Sequence, residues 1–257
     1  MNIVLLGHHD VASNIALSLL VTAMPEHRYT IMLSGTTVPR LPTVAALEEL
    51  AALEQKLCHD LEGRGHSRLL SFDALARRTG SKLHVLEKPD SPDSLSRLAD
   101  LRPDLFISVR YRRILREAAI SIPRFGVLNL HSGLLPQYKG MMATFWALLN
   151  DEPAIGSTLH YIVDGTIDTG PVVDRAPRDT DRTRSYLANV LSLYPDGCGM
   201  IVDTVRRIER GEEIACQPQP AAGRYYSVPG SADIEGFLNA GLRLFDGDEL
   251  RRFPAEL

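Results

Sequence analysis

The chain opens on Asn2-Ile-Val-Leu-Leu-Gly7, a short run of apolar, β-forming residues that a glycine ends. Val11 to Thr22 follow, and their apolar residues recur at the three- and four-residue spacing of one helix face. A strand, a tight turn and a helix in this order form the first half of a βαβ unit. The opening therefore predicts a parallel sheet built from strand–helix repeats.

The rest of the chain continues this alternation. Strand candidates lie at 29–33, 83–86, 105–109, 127–131, 158–163 and 171–173, and helix candidates at 44–61, 72–78, 94–101, 142–149, 182–210 and 232–245. Strands that alternate with helices form right-handed crossovers, so we expect a doubly wound, mostly parallel α/β sheet. We expect a core over residues 1–210, a helical insertion within it at about 44–78, and a C-terminal extension or lid over 211–257.

Composition narrows the classes of function. The 257 residues include 28 Lys and Arg against 32 Asp and Glu, a formal charge of −4. This balance supplies no basic field for phosphates, so neither nucleic acid nor an anionic membrane is an expected partner. No apolar run approaches the roughly 20 residues of a spanning helix, and no signal-peptide pattern follows Met1. These features predict a cytoplasmic protein, and they leave a homodimer open.

The densest cluster of polar residues is Asn129-Leu-His-Ser-Gly-Leu-Leu-Pro-Gln-Tyr-Lys-Gly140. Asn129 and His131 lie two residues apart on a predicted strand, so their side chains share one face. An amide can donate to a developing oxyanion, and an imidazole can move protons near neutral pH. Asp168 precedes a Gly-Pro turn that can bring its carboxylate beside His131 and orient the imidazole. These three side chains are candidates for catalysis.

These segments resemble the formyltransferase family that uses 10-formyltetrahydrofolate, which includes glycinamide ribonucleotide, methionyl-tRNA and amino-sugar formyltransferases. Asn129-Leu-His131 is similar to the family's Asn-x-His, and the segment 134–140 to its LLPxYxG loop. Asp168-Thr-Gly-Pro171 is similar to its Asp-x-Gly element. Arg113-Ile-Leu115 resembles the segment that lines the family's pterin pocket, and Gly7 to Ala12 resembles the GxxDxA opening of the tRNA and sugar branches.

The resemblance implies a transferase that moves a formyl group to an amine by tetrahedral addition and elimination, without a metal. Asn129 would hold the oxyanion, His131 would relay protons and Asp168 would position His131. The resemblance implies these folate contacts: Arg113, Ile114, Leu115, Leu134, Pro136, Tyr138, Gly140, Ile162, Val163, Asp164 and Ile167. Ile114 and Leu115 also fit a core. The candidate acceptor contacts are His8, His9, Asp10 and Ser132. A metal site at His8 and His9 is disfavoured, because adjacent histidines point in divergent directions.

The chain departs from the family pattern near the catalytic histidine. His131-Ser-Gly133 stands where the family has His-Pro-Ser, and we expect this change to loosen the backbone. The first loop offers His8 and His9 in place of a glycine-rich phosphate nest, which disfavours glycinamide ribonucleotide as the acceptor.

The segments before and after the predicted core bear on which acceptor the chain uses. Few residues follow Arg210, which disfavours a tRNA-binding domain, and the core starts at once, which disfavours a formyltetrahydrofolate hydrolase. A folate-binding pseudoenzyme is disfavoured because all three candidate side chains are present. The acceptor is then a small metabolite amine or hydroxylamine. An N-hydroxyornithine-type siderophore precursor leads slightly, because no aromatic and basic cluster is obvious near the first turn. A nucleotide-linked amino sugar is the alternative.

Overall fold

The structure, a computed structural model, describes residues 1–35, 44–62 and 69–252. Parts of the predicted insertion (63–68) and of the predicted extension (253–257) lie outside the described residues. The strands are β1 (Asn2–His8), β2 (Arg28–Ser34), β3 (Leu83–Val85), β4 (Leu105–Val109), β5 (Val127–His131), β6 (Tyr138–Gly140), β7 (Ala154–Ile162), β8 (Val172–Asp179) and β9 (Arg224–Tyr226). The helices are α1 (Val11–Ala23), α2 (Ala45–Glu62), α3 (Phe72–Thr79), α4 (Pro92–Asp100), α5 (Glu117–Ile120), α6 (Ala143–Leu149), α7 (Tyr186–Leu191), α8 (Tyr194–Glu209), α9 (Ser231–Asn239) and α10 (Gly247–Arg252).

Seven strands form one sheet in the order β3-β2-β1-β4-β5-β7-β8. The strands from β3 to β5 pair in parallel, whereas β7 pairs antiparallel with both β5 and β8. This arrangement confirms the doubly wound, mostly parallel α/β sheet that the sequence predicts. β6 and β9 pair in parallel as a separate two-stranded sheet, which the sequence does not predict.

The sheet is buried on both faces, which explains why its strands are continuous apolar runs. Ile3 and Leu5 of β1 point into a cluster with α1 and α8, whereas Val4 and Leu6 point into a second cluster with Leu98 of α4. Each fully buried side chain of this size stabilises the fold by roughly 1.5–3 kcal/mol. The carboxyl ends of the parallel strands β1, β2, β4 and β5 lie along one edge of the sheet.

Two helix predictions differ from the structure. The single helix predicted over 182–210 is divided into α7 and α8. Pro195 lies in the first turn of α8, where a missing N–H costs no hydrogen bond, so it starts a helix instead of bending one. The helix predicted over 232–245 ends at Asn239, and Gly241 follows with a left-handed φ of +76°.

The extension packs onto the core. The ring of Phe237 in α9 is fully buried and stacks on Phe145 of α6, with ring centroids 4.4 Å apart. The backbone of Arg243 and Leu244 accepts hydrogen bonds from Tyr186 and Leu187 at the start of α7. Across the described ranges, no helix combines the length and the apolar character needed to cross a membrane.

Candidate active site

The carboxyl end of β5 carries Asn129 and His131 on one face of the sheet. The antiparallel register of β5 with β7 sets His160 directly opposite Asn129 and Thr158 opposite His131. The Asn129 amide donates a hydrogen bond to Nε2 of His160, at 3.0 Å. The sheet therefore brings a second imidazole into the site, one that the sequence analysis does not include among the candidates.

Asp168 lies between the two imidazoles. Its Oδ2 is 3.5 Å from Nδ1 of His131, and its Oδ1 is 3.5 Å from Nε2 of His160. The backbone N–H of Gly140 donates to Oδ2 at 2.8 Å. Asp168 holds a left-handed backbone, with φ at +54°, in the turn between β7 and β8. The structure thus brings together the three predicted catalytic side chains and His160.

Asp168 is ionised at neutral pH despite its burial. Burial alone raises the pKa of a carboxyl, but His131, His160 and the Gly140 amide together lower the pKa of Asp168 to about 2. The site therefore holds one fixed negative charge beside two imidazoles.

Hydrogen bonds to carbonyl groups fix the orientation of both imidazole rings. His131 donates from Nε2 to the carbonyl oxygen of Tyr138 at 2.7 Å, so Nδ1 is the nitrogen that faces Asp168. His160 donates from Nδ1 to the carbonyl oxygen of Tyr161 at 3.0 Å. In the neutral ring Nε2 therefore accepts from Asn129, and in the protonated ring Nε2 presents a proton to Asp168. Because His160 uses one N–H of the Asn129 amide, the second N–H is left for another acceptor.

The loop after β5 is tightly packed at Gly133. A Cβ added there would lie 2.5 Å from Cβ of Ala143 and 2.7 Å from Nε2 of His131. Thr158 donates from Oγ1 to the Gly133 carbonyl at 2.7 Å and accepts from the Leu135 amide at 3.1 Å. The expectation that a glycine here loosens the backbone is wrong, because the close contacts require a residue without a side chain.

Seven of the eleven predicted folate contacts lie in two facing segments, 113–115 and 162–167. A Cβ added at Gly165 would lie 3.6 Å from Ile114 Cγ2, so the segments adjoin. Ile114, Val163 and Ile167 expose 51%, 53% and 41% of their surface, although all three are large apolar residues. Clustered exposed apolar side chains mark a binding surface. Leu115, by contrast, is buried in the core.

The other predicted folate contacts are engaged within the protein. Tyr138 donates from its hydroxyl to Glu152 at 2.6 Å and stacks on Tyr226, with ring centroids 5.3 Å apart. Arg113 donates from Nε to Glu87 at 2.8 Å. Leu134 packs against Gly156, Pro136 is buried, Ile162 packs on the core and Asp164 accepts from the Thr166 amide. Tyr138 and Gly140 thus meet the imidazole and the carboxylate through their backbone atoms.

The predicted acceptor contacts lie at the carboxyl end of β1. His8 is buried, with Nδ1 2.9 Å from Oγ of Ser34, and burial together with the charge of Arg112 lowers its pKa to about 4. His9 stacks on Phe72, with ring centroids 4.8 Å apart. Ser132 is half-buried and accepts from Thr144 through its carbonyl oxygen.

Asp10 is occupied within the chain. Its Oδ1 accepts from the Ser13 amide and caps α1, and its Oδ2 accepts from Arg110 at 2.9 Å and from Arg112 at 3.2 Å. Burial opposes its ionisation, but the two arginines hold its pKa at about 2. Both carboxylate oxygens of Asp10 thus have partners within the chain, so any effect of Asp10 on an acceptor acts through the positions of Arg110 and Arg112.

This ion cluster is a feature that the sequence analysis misses. Arg110 also donates to Glu54 of α2, at 3.3 Å. Arg110 directly follows β4, the strand that lies beside β5, and the register of these two strands ends on the pair Val109 and Leu130. The expectation that no basic cluster lies near the first turn is wrong, because β4 brings its arginines there. Their position directly after a predicted strand was the available signal.

The fold and this constellation define a doubly wound α/β protein whose carboxyl edge carries an amide, two imidazoles and an ionised carboxylate. Such a set is equipped for acid–base chemistry at a carbonyl carbon. All four side chains fall within residues 80–185, which match the family model described as formyl transferase.

A methionyl-tRNA formyltransferase from Thermodesulfovibrio yellowstonii is 30% identical over 182 residues, which cover 69% of this chain and 57% of that protein. The chain belongs to the formyl transferase family, as the motifs predict. It spans a little over half the length of the curated relatives it matches.

Solved structures share the fold at low identity. Glycinamide ribonucleotide transformylase 1 from Symbiobacterium toebii is 17% identical, with a TM-score of 0.58 over 86% of this chain and 94% of that one. An N-formyltransferase from Helicobacter canadensis, in complex with folinic acid and dTDP-3-aminofucose, is 18% identical, with a TM-score of 0.56 over 88% of this chain and 70% of that one.

Proposed function

We infer that this chain transfers a formyl group from 10-formyltetrahydrofolate to the amine or hydroxylamine nitrogen of a small metabolite. The observation that carries this proposal is the convergence of Asn129, His131, His160 and Asp168 at the carboxyl end of β5. The donor supplies an electrophilic formyl carbon, and the residues supply a hydrogen-bond donor and proton acceptors around one point.

Asn129 stabilises the oxyanion. As the acceptor nitrogen adds to the formyl carbon, the carbonyl oxygen becomes negative and needs a hydrogen-bond donor. One N–H of Asn129 is held by His160, which fixes the amide plane and directs the other N–H outward. Losing one donor of this kind costs roughly 10²–10³ in rate.

Asp168 and His131 handle the proton. The acceptor nitrogen must lose a proton as its bond to the formyl carbon forms, and Asp168 is ionised and therefore attracts it. Nδ1 of His131 faces this carboxylate and passes the proton on. The proton ends on N10 of the folate as the bond between N10 and the formyl carbon breaks, so no metal or redox partner enters the balance.

The pterin packs on the exposed apolar side chains of Ile114, Val163 and Ile167. These exposed apolar side chains can cover the faces of a flat ring, and backbone groups of residues 162–167 can meet its polar edge. Burying such a ring together with these side chains removes apolar surface from water at about 25 cal/mol per Å².

The acceptor carries an anionic group that Arg112 binds. The Arg112 side chain is 36% exposed and uses Nη2 on Asp10, so part of its guanidinium is accessible to an anion beyond the carboxyl end of β4. An N-hydroxyornithine-type siderophore precursor offers a carboxylate, but the arginines beside Asp10 remove the reason for which the sequence favours it over a nucleotide-linked amino sugar. A nucleotide-linked amino sugar offers a diphosphate. Tyr225 favours this second candidate, because its ring is 52% exposed and packs beside Gly140, where a base could stack.

The test is incubation with 10-formyltetrahydrofolate and a panel of acceptors: N-hydroxyornithine, ornithine and nucleotide-linked amino sugars. We expect one acceptor to gain the mass of a formyl group with the wild type and with His84→Ala, a control on the distant strand β3. His131→Ala should form almost no product. Absence of product from every acceptor, or full turnover by His131→Ala, contradicts the proposal.

Two binding measurements separate donor from acceptor recognition. At 100 times its Kd, 5-formyltetrahydrofolate should stabilise the chain by about 2.7 kcal/mol, whereas NAD should not. Arg112→Gln should raise KM for the acceptor by about tenfold or more, because it removes a charge-assisted hydrogen bond, and should leave kcat unchanged. Arg116→Gln, an exposed arginine of the same segment, is the matched control. Equal KM values for the two variants contradict the role of Arg112.

A further inference from the structure

Gln219, in the extension, reaches the turn that carries Asp168. Its Nε2 donates to the carbonyl oxygen of Asp168 at 3.0 Å and to that of Gly170 at 2.7 Å. Carbonyl oxygens only accept hydrogen bonds, so the nitrogen end of the amide must face them. One side chain therefore ties together both ends of a three-residue turn.

The turn needs such a tie. A left-handed backbone costs a residue other than glycine on the order of 1 kcal/mol, and it persists where the surroundings hold it. Asp168 has this conformation, and it directs the carboxylate back toward His131 and His160. At the other end of the turn, a Cβ on Gly170 would lie 1.8 Å from the Tyr161 carbonyl oxygen, so the backbones nearly touch.

The chain delivers Gln219 to this position through a backbone pairing. Gln217 and Val172, the first residue of β8, exchange two backbone hydrogen bonds of 2.8 Å each. Val172 follows the turn closely, so the extension runs alongside the exit of the turn. Gln219 lies two residues beyond this pairing.

The extension also fixes the hydrogen-bond donor to the carboxylate. β9 pairs with β6, and the Tyr226 carbonyl oxygen accepts from the Met141 amide at 2.9 Å. Gly140 has a φ of +92°, and a Cβ there would lie 2.3 Å from that same oxygen. The Gly140 N–H that binds Asp168 is therefore held in place by Tyr226.

We propose that Gln219 is a positioning residue for Asp168, and that residues 217–226 of the extension complete the active site. The proposal rests on the proposed function for its catalytic consequence. Without the amide the turn can relax from its left-handed conformation, and the carboxylate then moves away from the imidazoles. A small displacement of a catalytic group lowers the rate without changing how the donor binds.

The kinetic test uses Gln219→Leu, which keeps the bulk of the side chain and removes its donors. We expect kcat to fall about tenfold to a hundredfold, with KM for 10-formyltetrahydrofolate nearly unchanged. Glu213→Leu, at an exposed position of the extension outside 217–226, should retain the wild-type kcat. In an Asp168→Asn background Gln219→Leu should cause no further loss, because it acts through that carboxylate. A wild-type kcat in Gln219→Leu, or an additive loss in the double variant, overturns the proposal.

A second test needs no turnover. The Gly140 amide proton reports the charge of Asp168 in an NMR titration, because it is bonded to that carboxylate. In the wild type the change that follows protonation of Asp168 should come only near its pKa of about 2. In Gln219→Leu this change should come at a higher pH, and it is assigned to Asp168 by comparison with His131→Ala and His160→Ala, which remove the neighbouring imidazoles. An unchanged titration overturns the positioning role. A wild type that formylates no acceptor overturns the proposed function, and this titration still decides the role of Gln219.

Discussion

Replacing Asp168 with asparagine keeps the shape of the side chain and removes its charge. The pKa of this carboxyl is about 2, against an ordinary value of 3.8. Because the pKa is lower in the folded chain than in the unfolded one, the charge stabilises the fold above the unfolded pKa. This stabilisation is lost as the pH falls through the folded pKa. The difference amounts to about 2 kcal/mol at neutral pH.

The assay is urea unfolding of the wild type and Asp168→Asn at several pH values. At neutral pH the variant should unfold with about 2 kcal/mol less free energy than the wild type, and near pH 3 this gap should fall to about half. Asp203→Asn, an exposed aspartate of α8, should show no such gap. A gap between wild type and Asp168→Asn that stays constant with pH refutes the argument that the imidazoles and the Gly140 amide stabilise the charge.

Three further results are expected. Asn129→Ala should lower kcat by roughly 10²–10³ and leave 5-formyltetrahydrofolate binding intact, as measured by steady-state kinetics and calorimetry. His8→Asn should make the fold less sensitive to acid between about pH 6.5 and pH 4, because wild-type His8 has a lowered pKa and binds its proton only on unfolding. Phe237→Ala should lower the free energy of unfolding by about 3–5 kcal/mol, because its ring is fully buried against Phe145.

Each of these results has a clear contrary outcome. A small kcat effect from Asn129→Ala removes its role at the oxyanion, and Asn150→Ala is the amide control. An equal acid response from His8→Asn and the wild type contradicts the burial of a neutral imidazole. A free energy of unfolding close to that of the wild type in Phe237→Ala contradicts the third prediction and means that the extension unfolds separately from the core. Leu238→Ala, on the exposed face of the same helix, is its control.

The sheet was predictable where one strand alone carries the signal. Leu105 to Val109 is apolar throughout because both faces of β4 are buried, and its limits match the prediction. β6 and β9 were missed because each has three residues and no pattern of its own. They exist through pairing between segments that α6, β7, β8, α7 and α8 separate in the chain, so no local window of sequence contains both.

In the candidate site, too, the sequence predicts what arises within one strand and misses what arises between strands. The shared face of Asn129 and His131 follows from alternation within one strand. His160 comes opposite Asn129 only through the register of two antiparallel strands, and the sequence does not state that register. Arg110 and Arg112 meet Asp10 because β4 lies beside β1, which depends on the order of strands in the finished sheet.

The parallel pairing of β6 with β9 has a consequence for the nascent chain. A ribosome that has translated residue 210 has already added Asn129, His131, His160 and Asp168, the side chains of the proposed chemistry. At that point β6 still lacks its partner strand β9, which ends at Tyr226. The turn that carries Asp168 still lacks the hydrogen bonds from Gln219. Because a domain folds as a unit, we expect the candidate site to form only after residues 217–226 have been synthesised, in one late step of folding.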